Sequence, residues 1–204
     1  LDRHTTGVMV VAKSETAHWR LGKQFEQRLT KKRYLAIVHG RVEPHTDVID
    51  LPLGRHPTIK HCNAVRWDET GKESVTLYRV LEAWEDFTLL EVELRTGRTH
   101  QIRVHLSHLG WPIAGDDLYG GRHVELRDIA SSGHTEGDRR TKILGRQALH
   151  AALLGFTHPT QEHACEFRAP LPDDMSEMIR LLRHRGPGDR PQITGAIFTA
   201  DTLP

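Results

Sequence analysis

The chain has 204 residues, of which 37% are hydrophobic and 27% are charged. This length and composition are typical of one soluble globular domain with its own core, and they exclude collagen-like, coiled-coil and fully disordered chains. No apolar run approaches the roughly 18 to 20 residues that a membrane-spanning helix requires. The two cysteines, Cys62 and Cys165, lack the spacing of a disulfide framework or a zinc knuckle, so we expect a reducing, cytoplasmic setting.

The net charge of +1 conceals an uneven distribution along the chain. Residues 1–41 hold nine Lys or Arg and three Asp or Glu, whereas the remainder holds 19 and 24. A basic segment in an otherwise acidic chain indicates binding of a polyanion. The alternative is a solvated helix face.

Residue patterns predict the elements of the first part of the chain. In order, they are a strand over 7–13, an amphipathic helix over 14–29, a strand over 34–38 and irregular chain with a short hairpin over 42–72. The helix is predicted from apolar residues that recur every four positions, namely Ala17, Leu21, Phe25 and Leu29, with Ser14 as the N-cap.

In the second part of the chain, residue patterns predict paired strands over 74–81 and 88–95, a helix over 100–109 and an exposed insertion over 122–146. They then predict strands over 147–156 and 164–167, a helix around 178–182 and a loosely held tail over 186–204. Alternation of Leu90 and Val92 with Glu91 and Glu93 is typical of a half-buried antiparallel strand. Short turns between strands favour a mixed α/β (α+β) domain, built on a mainly antiparallel central sheet flanked by helices and loops.

Three segments carry most of the residues suited to chemistry. They read LDRHTTG at 1–7, KRYLAIVHG at 32–40 and RTGRTHQIRVHL at 95–106. Their content and order resemble the RluA-type family of RNA pseudouridine synthases. The family's first motif reads roughly HRLDxxTSG, and Thr6 replaces its usual Ser. Its third motif, TGRxHQIRxH, is complete here.

The resemblance extends from residue 1 to about 183, interrupted by the insertion. It includes GWPIAGD at 110–116, YG at 119–120, LHA at 149–151 and FRAPLP at 167–172. The family's His-Arg pair precedes Leu-Asp, and this sequence begins at Leu1. We therefore expect a catalytic domain over 1–185 whose N-terminal part is missing.

The resemblance implies an isomerase that converts uridine in structured RNA to pseudouridine. Ribosomal RNA is the first expected substrate and tRNA the second. It implies that Asp2 is the catalytic aspartate and that Arg103 pairs with it. Attack on the ribose C1′, attack on the uracil ring and removal of the C2′ proton all need an ionised carboxylate, which a fixed guanidinium favours. Without the motif, Asp2 would be read as a turn residue.

The resemblance also implies that Tyr34 is the active-site tyrosine. Its ring can stack on the displaced uracil, and its phenol could take the C5 proton. A phenol with an unperturbed pKa near 10 is a poor base at neutral pH, so stacking is the preferred role. Without the motif, a Tyr at the start of a strand would be read as core packing.

The target base must leave its helix or be presented in a loop, which predicts a basic surface around the cleft. Residues expected to bind RNA are Arg3, Lys31, Lys32, Arg33, Arg98, His100 and Gln101, with Leu149 lining the pocket opposite the tyrosine. Contacts to phosphate would make the binding sensitive to salt. Gln101 could instead be structural.

Other functions find weaker support in the sequence. The isomerisation is redox-neutral and implies no cofactor, and the chain has no GxGxxG or Walker loop. His105 and His108 with Asp116 or Asp117 could form a metal site, but no HExxH or GxSxG motif is present, and we expect no metal. A non-catalytic RNA-binding module or ribosome assembly factor with the same fold is the main alternative. No oligomerisation stripe is visible, so we expect a monomer.

Overall fold

The computed structural model describes residues 1–129 and 140–203. Within them the strands are β1 (Thr6–Gly7), β2 (Lys31–His39), β3 (Thr46–Asp50), β4 (Leu53–Arg55), β5 (Asn63–Val65), β6 (Val75–Ala83), β7 (Phe87–Leu94), β8 (Val124–Glu125), β9 (Lys142–Leu144), β10 (Leu149–Thr157) and β11 (Ala164–Arg168). The helices are α1 (Glu15–Glu26), α2 (Gln101–His108) and α3 (Asp173–Arg185), with short 3-10 turns at Leu126–Asp128 and Ala200–Thr202.

Seven strands form the central sheet in the order β1-β10-β2-β7-β6-β3, and β11 also pairs with β10. The β1–β10 pair is parallel, and the other described pairs of this sheet are antiparallel. Strands β4 and β5 form a separate hairpin, and β8 pairs with β9. The predicted α+β class with a mainly antiparallel sheet is confirmed.

The prediction that β7 is half-buried is wrong, because both faces of this strand are covered. Glu91 is fully buried, and its carboxylate lies 3.4 Å from the guanidinium of Arg33 and 3.6 Å from that of Arg79. Glu93 is 2.6 Å from Arg33. A buried carboxylate requires such partners, and alternation of Leu with Glu does not reveal whether they exist.

Residues 186–203, for which we expected a loosely held tail, lie against the outer face of the sheet. The backbone N–H groups of Ile197 and Phe198 each donate to Glu91 Oε2 at 2.8 Å. The side chains of Ile193 and Phe198 pack against the hydrophobic core. The tail is therefore anchored by a buried charge and by apolar contacts.

Helix α1 confirms the predicted helix and its N-cap, since Ser14 Oγ accepts the N–H three residues ahead at 3.3 Å. It ends earlier than predicted, because Arg28 adopts a left-handed conformation with φ of 61°. Leu21 is buried, whereas Phe25 and Leu29 are 39% and 66% exposed. The four-residue repeat therefore predicted a wider buried face than the helix has.

Two further predicted segments, a strand and an insertion, differ from the structure in how far they extend. The strand predicted over 7–13 is only the two-residue β1, and residues 8–13 follow it without regular structure. The predicted insertion over 122–146 begins and ends with β8 and β9, and Val124, Ile129 and Leu144 are buried in the core. Residues 130–139 of the insertion lie outside the described residues.

Candidate active site

A cleft of about 550 Å³ lies where the N-terminal turn, strand β2 and the start of α2 meet. Asp2, Tyr34 and Arg103, which the sequence brings from three distant segments, all line it. Five of the predicted RNA-binding residues also line it, namely Lys32, Arg98, His100, Gln101 and Leu149. Across the described residues, the structure therefore assembles all three predicted catalytic side chains in one place.

The turn that carries Asp2 is fixed from two sides. The N–H of Thr5 donates to the Asp2 carbonyl at 3.0 Å, and Gln147 Nε2 donates to the Arg3 carbonyl at 2.6 Å. The turn leads into β1, where Gly7 has φ of 120° and a Cβ would lie 2.2 Å from a backbone oxygen of β10. Only glycine permits this close approach, which places Asp2 beside the cleft.

Arg103 is held chiefly by Asp116 and reaches Asp2 with its remaining nitrogen. Its Nε and Nη2 donate to the two carboxylate oxygens of Asp116 at 2.7 and 2.8 Å, and Nη1 donates to Asp2 Oδ2 at 3.4 Å. Arg103 and Asp116 are buried, whereas the Asp2 side chain is 22% exposed. Burial lowers the pKa of Arg103, but hydrogen bonds and charge from Asp116 outweigh it and raise that pKa.

Tyr119 lies over the guanidinium of Arg103, with 4.9 Å between the guanidinium carbon and the ring centroid. The Tyr119 hydroxyl is 2.7 Å from His100 Nδ1 and accepts the N–H of Asn63 at 3.0 Å. Burial lowers the pKa of His100 and raises that of Tyr119. A neutral imidazole therefore accepts a hydrogen bond from the Tyr119 hydroxyl, and Tyr119 joins Arg103 to the start of α2 and to β5.

Tyr34 lies half-buried on β2 with its side chain in the cleft. Burial, with a smaller contribution from the charge of Asp2, raises the pKa of Tyr34 to about 12. The phenol is therefore neutral at physiological pH. Lys32, two residues earlier on the same face, also lines the cleft, and burial lowers the pKa of its amine.

The three consecutive cations predicted as one RNA-binding patch lie on opposite faces of β2. Side chains alternate along a strand, so Lys32 faces the cleft while Lys31 and Arg33 face away. Lys31 Nζ pairs with Glu166 at 2.8 Å, and Arg33 pairs with the two β7 carboxylates. Arg3 is exposed on the N-terminal turn, and Arg98 is exposed at the cleft with Nε donating to a backbone carbonyl at 3.2 Å.

Gln101 is buried, and its side chain hydrogen-bonds within the protein. Its Oε1 accepts from the Thr96 hydroxyl at 2.8 Å and from the Arg98 N–H at 2.9 Å. Its Nε2 donates to the Val75 carbonyl at 3.0 Å and to Thr76 Oγ1 at 2.9 Å. Gln101 thus ties the start of α2 to β6 and has no polar atom left for RNA.

Of the two histidines that suggested a metal site, His105 is engaged in hydrogen bonds within the protein. His105 donates from Nε2 to the Leu51 carbonyl at 3.0 Å, and its Nδ1 lies 2.9 Å from Thr76 Oγ1. Asp116 is committed to Arg103. Among the described residues, no group of three or more His, Cys, Asp or Glu side chains is placed to hold a metal ion.

Sequence reasoning did not assign the supporting roles of Asp116, Tyr119, Asn63 and Gln147. The first two belong to the run that follows the third motif, which was a usable signal. Asn63 and Gln147 carried none, because their contacts join segments that are distant in the sequence.

Comparison with known proteins places this arrangement in a family. A family model described as RNA pseudouridylate synthase matches residues 1–108. The chain belongs to this family. In the part of the chain that the structure describes, no helix is long and apolar enough to span a bilayer.

Two relatives and two solved structures illustrate the similarity. The chain is 41% identical to an uncharacterized RNA pseudouridine synthase of Bacillus subtilis over 91% of its own length and 55% of the relative's. It is 44% identical to the ribosomal large subunit pseudouridine synthase D of Vibrio cholerae, over 90% of this chain and 54% of that protein. The human RNA pseudouridylate synthase domain containing 1 and domain containing 4 structures superpose with TM-scores of 0.69 and 0.68. The sequence identities are 27% and 26%, over 96% and 94% of this chain and 74% and 76% of theirs. The chain spans about half the length of the bacterial relatives it matches.

Proposed function

We propose that the protein converts uridine to pseudouridine in RNA and that large-subunit ribosomal RNA is its substrate class. The observation that carries the proposal is the single cleft that holds Asp2, Tyr34 and Arg103. The substrate class is supported by 44% identity to relatives named ribosomal large subunit pseudouridine synthase D in Vibrio cholerae and Nitrosomonas europaea. Transfer RNA is the second candidate substrate.

Asp2 is the group that acts on the nucleotide. The reaction breaks the bond from N1 of uracil to the ribose C1′, turns the base and joins C5 to C1′; C5 loses its proton to solvent and N1 gains one. An ionised carboxylate can attack C1′, attack the base or remove the C2′ proton. Partial exposure leaves Asp2 accessible to the nucleotide, while Arg103 restrains one of its oxygens.

Tyr34 supports the detached base by stacking. With a pKa of about 12, its phenol is almost never deprotonated at neutral pH and is a poor acceptor of the C5 proton. The ring instead offers a flat surface to a base that has left its stack. Leu149, which is buried at the cleft wall, adds apolar surface.

Cations at the cleft hold the RNA backbone. Lys32 and Arg98 line the cleft, and Arg3 is exposed on the turn beside Asp2. Lys31 and Arg33 are excluded from this set by their ion pairs on the other face of β2. Contacts of cations with phosphate bind RNA with little dependence on sequence and weaken as salt rises.

The test is release of tritium from RNA transcripts whose uridines carry tritium at C5. Separate transcripts represent large-subunit ribosomal RNA, small-subunit ribosomal RNA and tRNA. We expect release from the large-subunit transcript. Release from tRNA alone would contradict the substrate class, and binding without release from any transcript would favour a non-catalytic RNA-binding module.

A further inference from the structure

A second groove continues the active-site cleft along the β4–β5 hairpin. It encloses about 790 Å³ and shares Thr99 and His100 with the cleft. Its outer wall is the loop of the hairpin, which carries Arg55, Lys60 and His61. The two cavities therefore form one path, with the catalytic side chains at one end and the hairpin loop at the other.

The charge of this groove is unbalanced. None of its lining residues is acidic, and the exposed side chains of Arg55 and Lys60 form no ion pair with any residue that the structure describes. Many other surface cations are paired, as in Arg28–Glu73, Arg41–Asp189 and Arg180–Glu177. Two uncompensated cations beside a cleft are an anion-binding surface.

The hairpin loop is held in shape before any ligand binds. His56 Nδ1 accepts the N–H groups of Thr58 and Ile59 at 3.3 and 3.0 Å, and the His56 N–H donates to the Cys62 carbonyl at 2.9 Å. These bonds close the loop between its two strands. Arg55 and Lys60 therefore project from a backbone of fixed shape, which reduces the entropy lost on binding.

The groove is also coupled to the catalytic residues. Asn63 Nδ2 donates to the Thr99 carbonyl at 2.7 Å, and the Asn63 N–H donates to the Tyr119 hydroxyl. The same hydroxyl contacts His100, and the Tyr119 ring lies over Arg103. These contacts therefore fix the position of the hairpin relative to the start of α2 and to the guanidinium beside Asp2.

We propose that this groove binds the phosphodiester backbone of the RNA strand next to the target uridine, with Arg55 and Lys60 contacting phosphates. The inference rests on the proposed function, because a uridine held in the cleft leaves the phosphates of its neighbours outside it. The groove is the surface that borders the cleft at Thr99 and His100. Its ligand is RNA backbone, recognised by charge and position.

The test measures how the affinity for a large-subunit ribosomal RNA transcript depends on salt. The double variant Arg55→Gln/Lys60→Gln removes both cations, and Arg55→Lys/Lys60→Arg retains both charges. Each phosphate contact contributes about 0.7 to 0.9 to the slope of log K against log salt. We expect the first variant to reduce the slope by about 1.4 to 1.8 and to raise Kd about tenfold or more at 0.1 M salt. The second variant keeps the parent slope.

The matched control is Arg41→Gln/Arg180→Gln, which removes the same charge from two exposed arginines. Their acidic partners, Asp189 and Glu177, already compensate them, so the slope should stay near that of the parent. Circular dichroism verifies that each variant is folded.

If the folded Arg55→Gln/Lys60→Gln protein has the same slope of log K against log salt as the parent, the groove proposal is overturned, whatever the catalytic result. A parent that binds the transcript but releases no tritium would overturn the proposed function, and the slopes would still decide the groove. A parent that does not bind the transcript would overturn both.

Discussion

At the scale of single residues, Arg103 divides its hydrogen bonds unequally between two carboxylates. Asp116 is fully buried and receives two short hydrogen bonds, whereas Asp2 is partly exposed and receives one of 3.4 Å. The Asp116 pair therefore fixes the guanidinium, and the bond to Asp2 orients a group that stays accessible. We therefore expect stability to depend on Arg103 through Asp116, and catalysis to depend on it through Asp2.

The first prediction concerns the stability of Arg103→Ala. This change leaves the buried Asp116 carboxylate without its partner, which costs about 3 to 5 kcal/mol of unfolding free energy. Asp2→Asn removes one long contact of a partly exposed group, and we expect a cost below about 1 kcal/mol. Urea unfolding measures both. Equal costs would show that Asp116 is not the dominant partner of Arg103.

The second prediction separates the ring of Tyr119 from its hydroxyl. Tyr119→Phe keeps the ring over Arg103 and loses the contacts of the hydroxyl with His100 and Asn63. Tyr119→Leu loses the ring as well as these contacts. A buried cation–ring contact is worth about 1 to 2 kcal/mol, so we expect kcat to be about tenfold lower for Leu than for Phe. Steady-state kinetics on the RNA, with kcat and KM separated, decide this. Identical kcat values would contradict a positioning role for the ring.

The third prediction concerns the role of Tyr34. If its ring stacks on uracil, Tyr34→Phe should keep kcat within about tenfold of the parent, and Tyr34→Leu should lose the roughly 1 to 3 kcal/mol of stacking. Because the pKa of Tyr34 is about 12, its ionisation should add no limb to the pH–rate profile below about pH 10. A profile with such a limb, absent in Tyr34→Phe, would assign the proton transfer to the phenol.

At the scale of elements, two buried histidines attach α2 and β1 to the sheet. His105 on α2 contacts Thr76 of β6, and the Thr6 hydroxyl of β1 lies 3.0 Å from Nδ1 of His150 on β10. His150 also lies 3.2 Å from the Ala169 carbonyl through Nε2. Burial lowers the pKa of both imidazoles, so both are neutral in the folded chain.

The fourth prediction follows from these lowered pKa values. Unfolded histidine binds a proton below a pH of about 6.5, whereas the folded rings bind it only at lower pH. Stability from His105 and His150 is therefore complete above that pH and is lost as the pH falls, by at most about 1.4 kcal/mol per pH unit for each ring. Urea unfolding at pH 7.5 and 5.5 tests this against His105→Asn, which should lose less stability between the two pH values. If stability depends on pH equally in both proteins, His105 is excluded as a source of the pH dependence.

The elements show how far residue patterns reach. Runs of β-branched and apolar residues predicted most of β2, β6, β7 and β10 and the central part of α3, because their periodicity follows directly from backbone geometry. The same periodicity did not predict that Glu91 is buried or that Phe25 is exposed. Burial of a given face depends on which segment covers it, and the tail that covers Glu91 is about a hundred residues distant.

At the scale of the whole molecule, the basic N-terminal segment does not form one surface. Arg33 pairs with β7, Lys31 with β11, and Arg28 with Glu73 at 2.9 Å. The motifs, which fix residue identity, predicted that Asp2, Tyr34 and Arg103 lie together, and these three side chains line one cleft. Charge counted along the sequence did not predict which of these cations stay unpaired, since it does not record the ion pairs that form in the fold.

The fifth prediction concerns the tail. Ending the chain at Arg185 removes the two N–H donors to the buried Glu91 and the apolar contacts of Phe198. A hydrogen bond to a charged group is worth about 1.5 to 3 kcal/mol, so we expect unfolding free energy to fall by at least about 3 kcal/mol. Urea unfolding measures it. Unchanged stability would show that the tail does not stabilise the sheet.

The proposed function assigns the isomerisation of uridine to Asp2. The most direct measurement is tritium release from large-subunit ribosomal RNA labelled at uridine C5, comparing the parent with Asp2→Asn. Asp117→Asn is the matched control, because Asp117 is exposed and forms no ion pair with a described residue. We predict release by the parent and by Asp117→Asn and none by Asp2→Asn, although that variant still binds RNA. Release by Asp2→Asn at the parent rate would contradict the assignment of the catalytic residue.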